Sequence, residues 1–163
     1  MKNIKCPEVY KPKSIYEKSV FLGGGITNCS DWQAKMTKLL IGMDVVVINP
    51  RRDSYDNTNV NLAKEQITWE YNHLRESTAL IFWFASETLC PITLFEYGFH
   101  LGQGVREIFL GIDPEYKRKI DLEIQTELVN KELKKRDAVS GQVTISYSIE
   151  DLADKVIHWV ENS

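Results

Sequence analysis

Seven consecutive apolar residues, Ala79 to Ala85, lead directly into Glu87-Thr-Leu-Cys-Pro-Ile-Thr-Leu-Phe-Glu-Tyr-Gly98. The run is too short for a helix with a face of its own. Its Leu80, Ile81, Phe82, Trp83 and Phe84 suit a strand buried on both sides, the condition met in parallel sheets. Beyond it come a carboxylate, a turn, a proline suited to the first position of a helix, and a second carboxylate inside that helix. Open α/β sheets bind ligands at the carboxyl ends of their strands. Glu96 is therefore a candidate catalytic group. The competing reading is an ordinary surface glutamate, the commonest situation for this residue. Its neighbours Leu94, Phe95, Tyr97 and Phe99 are apolar, however, and leave only a narrow polar face.

The rest of the chain repeats the same rhythm. Residues 1–17, broken by Pro7 and Pro12, read as an extended arm. Strands are predicted at Ser19 to Gly23, Asp44 to Asn49, 79–84, Glu107 to Leu110 and Val143 to Ser146. Helices are predicted from a Ser30 or Asp31 cap to about Ile41, from Leu62 to Glu76, from Pro91 to Gln103, from Tyr116 to Lys135 and from Ile149 to Val160. Residues 50–59 read as a polar loop. Alternation of buried strands with helices implies an α/β fold: a flavodoxin-like three-layer sandwich with a five-stranded parallel sheet in the order 2-1-3-4-5. A length of 163 residues suits a single domain over 1–163.

Net charge and cysteine usage narrow the function. A net charge of −3 argues against a nucleic-acid footprint. The basic residues between Lys117 and Arg136 alternate with Asp121, Glu123, Glu127 and Glu132, as on a solvated helix face. Cys6, Cys29 and Cys90 form neither a disulfide framework nor a metal knuckle, and the three histidines are scattered, so no metal and no cofactor is expected. No run is long enough to cross a membrane, and the N-terminus has no apolar signal core. A cytoplasmic location is expected.

Several residues join Glu96 as candidates. Gly23-Gly24-Gly25 ends the first strand. It is either a tight turn needing positive φ or a backbone that lets a sugar or phosphate come close. Glu70 and Glu87 are possible partners for Glu96, since one carboxylate that attacks and one that donates protons are the minimum for breaking a glycosidic bond. Arg51, Arg52 and Asp53 follow the second strand and suit recognition of a base edge or phosphate, or simply form an exposed loop. Phe21, Trp32, Trp69 and Tyr97 offer stacking surfaces, and Asp31, Cys90 and Thr93 stand at the same strand ends.

Taken together, Val-Phe-Leu-Gly-Gly-Gly at 20–25, Glu70 followed by Leu74 and Arg-Glu-Ser at 75–77, and Leu-Phe-Glu-Tyr-Gly at 94–98 resemble the nucleoside 2-deoxyribosyltransferase family. The resemblance runs from Val20 to about Leu110. It implies that Glu96 attacks C1′ of a deoxyribonucleoside, that Glu70 contacts the base, and that Phe21 and the glycines face the substrate. It also implies a homo-oligomer, dimer or higher, in which a polar residue such as Asp121 or Asn130 reaches a neighbouring subunit's site. The partners would be a nucleoside or nucleotide and a free nucleobase. Three positions depart from the family pattern. Phe21 stands where a tyrosine is usual, so that Tyr97 or another residue would have to supply the missing hydroxyl; Glu70 replaces an aspartate; and Cys90 replaces an aspartate that binds the sugar, a carboxylate that Glu87 would have to supply. The expected activity is base exchange. A monophosphate N-glycoside hydrolase holding phosphate on Arg51, Arg52, Ser30 and the glycine turn is the alternative, and a non-catalytic nucleotide-binding module is the third reading.

Overall fold

The computed structural model describes residues 1–54, 58–136 and 142–163. The middle of the expected 50–59 loop therefore lies outside the described residues. Among the described residues six strands form one parallel sheet: β1 (Lys2–Lys5), β2 (Ser19–Gly24), β3 (Val46–Asn49), β4 (Ala79–Phe84), β5 (Glu107–Ile112) and β6 (Ile145–Ser146), in the order β1-β3-β2-β4-β5-β6. The sheet thus has six strands rather than five, because the N-terminal segment adds one edge. Lys2–Lys5 pairs with Val46–Asn49 in parallel. Only Ile4 of this strand is buried, and charged residues on an exposed edge discourage pairing with other chains.

The supposed arm is also tied down beyond β1. Tyr10 is buried, and its backbone N–H donates to His73 Nε2 at 3.0 Å. Trp69 Nε1 donates to the Glu8 carbonyl at 2.7 Å.

Among the described residues five helices connect and cover the strands: α1 (Trp32–Leu39), α2 (Val60–Glu76), α3 (Pro91–Gln103), α4 (Lys119–Lys135) and α5 (Ile149–Asn162). Both faces of the sheet are packed, as a parallel sheet requires. Side chains alternate across a strand, so Leu80, Phe82 and Phe84 of β4 join the core beneath α2, α3 and α4. Ala79, Ile81 and Trp83 join a second core with Trp32 and Met36 of α1 and Leu152 and Val156 of α5. Among the described residues no helix is long and apolar enough to cross a membrane.

The helix ends nearest the ligand crevice have specific causes. Asn59 caps α2, its side chain accepting from the Asn61 and Leu62 N–H groups. Pro91 opens α3 as expected, preceded by Cys90 in a left-handed conformation at φ 47°. Gly104 closes α3 with φ 61°.

Candidate active site

A cavity of about 700 Å³ lies between α2 and α3 at the carboxyl ends of β2 and β4, within the usual range for small-molecule sites of roughly 300–1,000 Å³. Residues four apart share a helix face, and both helices use this spacing. Gln66, Glu70 and Leu74 of α2 line the cavity, as do Ile92, Glu96 and His100 of α3. The groove therefore has three tiers along α2 and α3, about 6 Å apart. The upper tier is closed by Gly23, Gly24, Gly25 and Cys90, the middle tier carries the two carboxylates, and the lower tier carries Leu74, Arg75, Phe99 and His100.

Glu96 carries no hydrogen bond from the protein among the described residues. Burial pushes its carboxyl up to about 8, and the charge of nearby Glu70 adds to the effect. Glu96 is the sixth residue of α3, and the helix-end effect fades within the first turn.

Glu70 is also raised by burial, with a hydrogen bond from Gln66 and the charge of Arg52 opposing. Gln66 Nε2 donates to Glu70 Oε1 at 2.7 Å and to the Pro50 carbonyl at 2.8 Å. Gln66 Oε1 accepts from Arg52 Nε at 2.6 Å and from Cys6 Sγ at 3.1 Å. This amide fixes one oxygen of Glu70 and leaves the other without a hydrogen bond from the protein among the described residues. It was missed in the sequence, although its position four residues before Glu70 was a signal.

The glycine corner works by closeness rather than by unusual φ, since none of Gly23, Gly24 and Gly25 has a positive φ. A Cβ on Gly24 would fall 2.5 Å from the Trp32 ring and 2.6 Å from the Trp83 carbonyl, and one on Gly25 would fall 2.7 Å from Thr88 Cγ2.

Phe21, Cys90 and Thr93 line the cavity as expected. Phe21 supplies a ring and no hydroxyl. Burial keeps the Cys90 thiol neutral, so it does not replace a carboxylate.

Other expected residues lie elsewhere. Glu87 is exposed outside the lining. Hydrogen bonding from Ser30, whose N–H donates to Oε1 at 3.3 Å, holds its carboxyl below the usual range. Asp31 caps α1 by accepting from the Ala34 N–H at 2.9 Å and pairs with Arg51 Nε at 3.3 Å.

Arg51 points away from the cavity and clamps the loop below it. It donates to Gln33 Oε1 at 3.0 Å and to the carbonyls of Ser30, Cys29 and Gly25 at 3.0, 3.3 and 3.4 Å. Arg52 takes the opposite side, as successive residues of extended chain do. It lines the cavity while paired with Glu65 at 2.5 Å. Neither arginine offers a free fork to phosphate. Asp53 pairs with Lys5 at 2.6 Å on the surface.

Trp69 backs Phe21, with ring centroids 6.2 Å apart, and stacks on His73 rather than on the cavity. Tyr97 turns into the core, where its hydroxyl meets Thr126 Oγ1 at 2.6 Å, so it does not stand in for a hydroxyl at Phe21. The Asn130 side-chain amide is engaged by the Val143 backbone, and Asp121 pairs with Arg118.

A protein-family model described as "Nucleoside 2-deoxyribosyltransferase like" matches residues 17–116, a span that contains the glycine corner, Glu70 and Glu96. A comparison with curated proteins gives no match.

Proposed function

The chain belongs to the nucleoside 2-deoxyribosyltransferase-like family, and from that membership we propose that it cleaves the N-glycosidic bond of a deoxynucleoside through a glycosyl ester on Glu96 and passes the sugar to a second base. One observation carries the reading. Glu70 and Glu96 line the same cavity beside the glycine corner, close enough for the charge on one to raise the other.

Two half-buried carboxylates that repel one another resist ionising together, which favours a single proton shared between them. The reaction needs that stoichiometry. An ionised Glu96 oxygen attacks C1′, the C1′–N bond breaks, and its electron pair goes to the departing base, which takes the proton from Glu70. The product is a deoxyribosyl ester of Glu96. An incoming base gives its N–H proton to Glu70 as its nitrogen attacks C1′, and the carboxylate of Glu96 departs. Gln66 steadies Glu70 throughout through its bond to Oε1.

Exchange requires the ester to be kept from water. Exposed Ile67, Ile92 and Phe95 rim the groove. A second copy covering that rim would supply the shield, which supports the homo-oligomer implied by the resemblance.

The test is an incubation with a deoxynucleoside and a different free base, followed by chromatography. A new nucleoside is expected. Free base released from a matching 5′-monophosphate, without exchange, contradicts the reading.

A further inference from the structure

The lowest tier of the groove contains a buried group that the reaction above does not use. His100 is 2% exposed and lines the cavity, and its Nδ1 has no hydrogen-bond partner among the described residues. Buried polar atoms are normally paired. The other buried histidine shows the ordinary outcome: His73 Nε2 accepts from the Tyr10 N–H, and Nδ1 lies 2.7 Å from the Trp69 carbonyl. His100 Nδ1 lacks that outcome, beside a cavity wall that a ligand could occupy.

Arg75 stands beside it. Its guanidinium lies 3.4 Å from the Tyr71 ring centroid and 5.1 Å from that of Phe99. Its one hydrogen bond is from Nη1 to the Tyr71 carbonyl at 3.0 Å, and no carboxylate pairs with it among the described residues. Arg106 is close behind, occupied with the Ser77 and Arg75 carbonyls and likewise without a carboxylate. Burial, then these two cations, push His100 down to about 4, so its ring is neutral and offers one donor and one acceptor. The middle of the groove is acidic, and its lower end has unneutralised positive charge between aromatic walls.

The order of the tiers indicates what reaches that end. A sugar attacked by Glu96 lies against the glycine corner, where the backbone is bare. The base then lies past Glu70, with its far edge about one helical turn down, at Arg75 and His100. Resting on the reading of this groove as a nucleoside site, we propose that Arg75 and His100 read the far edge of the base and select one with adjacent hydrogen-bond acceptors, the pattern of O6 and N7 in a 6-oxopurine. Arginine makes a two-pronged bond to that pair of acceptors. An adenine would turn its amino group toward the guanidinium, and a single-ring base is too short to fill the tier.

Exchange rates with deoxyinosine, deoxyadenosine and thymidine test the selection, each also as its 5′-monophosphate, for the wild type and Arg75→Leu. Deoxyinosine is expected to lead in kcat/KM. The variant should lose about 30-fold with deoxyinosine, chiefly through KM, and at least tenfold less with deoxyadenosine, from the ~10–100-fold discrimination of a two-pronged contact. An equal loss with all three bases overturns the proposal, as does a loss confined to the monophosphates, which would make the tier a phosphate site.

Calorimetric binding of free hypoxanthine and adenine to Glu96→Gln protein separates this proposal from the catalytic one, since it needs no turnover. Hypoxanthine binding that weakens in the Glu96→Gln, Arg75→Leu double variant sustains the subsite even if no exchange is found. Binding of neither base, or of both equally, refutes it.

Discussion

The two faces of the sheet are built from the same strands and do opposite things. Beneath α1 and α5 the packing is closed: Met36, Leu40, Leu152 and Val156 are fully buried against Ile81 and Val47. Beneath α2 and α3 the same strands leave a cavity holding two half-buried carboxylates and a histidine whose Nδ1 has no hydrogen-bond partner among the described residues. The first face stabilises the molecule. The second is held open at a cost to stability, as functional sites commonly are.

The sharpest way to break this contrast is Glu96→Gln. Exchange should fall by at least ~10³-fold, the scale of losing a nucleophile, in the chromatographic assay. The same variant should be more stable than the wild type. In the folded protein Glu96 has its pKa raised from 4.5 to about 8, so its ionisation opposes folding and stability falls as pH rises through that window. Removing the group should leave Tm unchanged near pH 4.5 and raise it by several degrees at pH 8, read by thermal melts at both pH values. A fall in Tm at pH 8 would mean that Glu96 is a structural residue.

Leu152→Ala on the closed face should behave in reverse. It should cost about 3 kcal/mol, a fall in Tm of roughly 6–12 °C for a chain of this size, with kcat at 25 °C unchanged. Next in size is Glu70→Gln, expected to slow exchange by ~10²-fold through loss of general acid catalysis. The loss should shrink for bases that leave without protonation, and a uniform loss across leaving groups would contradict the assignment. With such a leaving base, kcat/KM of the wild type should rise with pH toward about 8, because the proposed attack requires an ionised Glu96. A flat profile between pH 5 and 8 would remove that requirement. The smallest change is expected from Phe21→Tyr, which restores the hydroxyl that the resemblance places near the nucleophile. It should move the acid limb of the pH profile downward with less than tenfold gain in rate.

How much of this could be read from the chain differs between the two faces and within the groove. The β4–α3 junction was legible because an apolar run of strand length followed by Pro91 leaves few alternatives. Glu96 and the glycine corner followed from it. The edge strand was not legible, since Lys2-Asn-Ile-Lys5 has one buried side chain and gains its structure only by pairing with β3.

Neighbours in sequence also misled. Tyr97 follows Glu96 but points about 100° around the helix, into the core. Arg51 and Arg52 separate because extended chain alternates sides. Asp31, Asp53, Glu87 and Trp69 carry the right chemistry for a site and are engaged in caps, ion pairs, a loop contact and packing. Gln66 and His100 matter through what they bond or fail to bond, and composition carries no trace of that.

Intact-mass spectrometry after mixing the protein with a 2-fluoro-deoxynucleoside tests the central claim most directly, because fluorine at C2′ slows breakdown of a glycosyl ester. The expected result is a gain equal to one fluorinated sugar, mapped by peptide digestion to Glu96 and absent in Glu96→Gln. Base release with no adduct, or an adduct on another residue, would contradict the account.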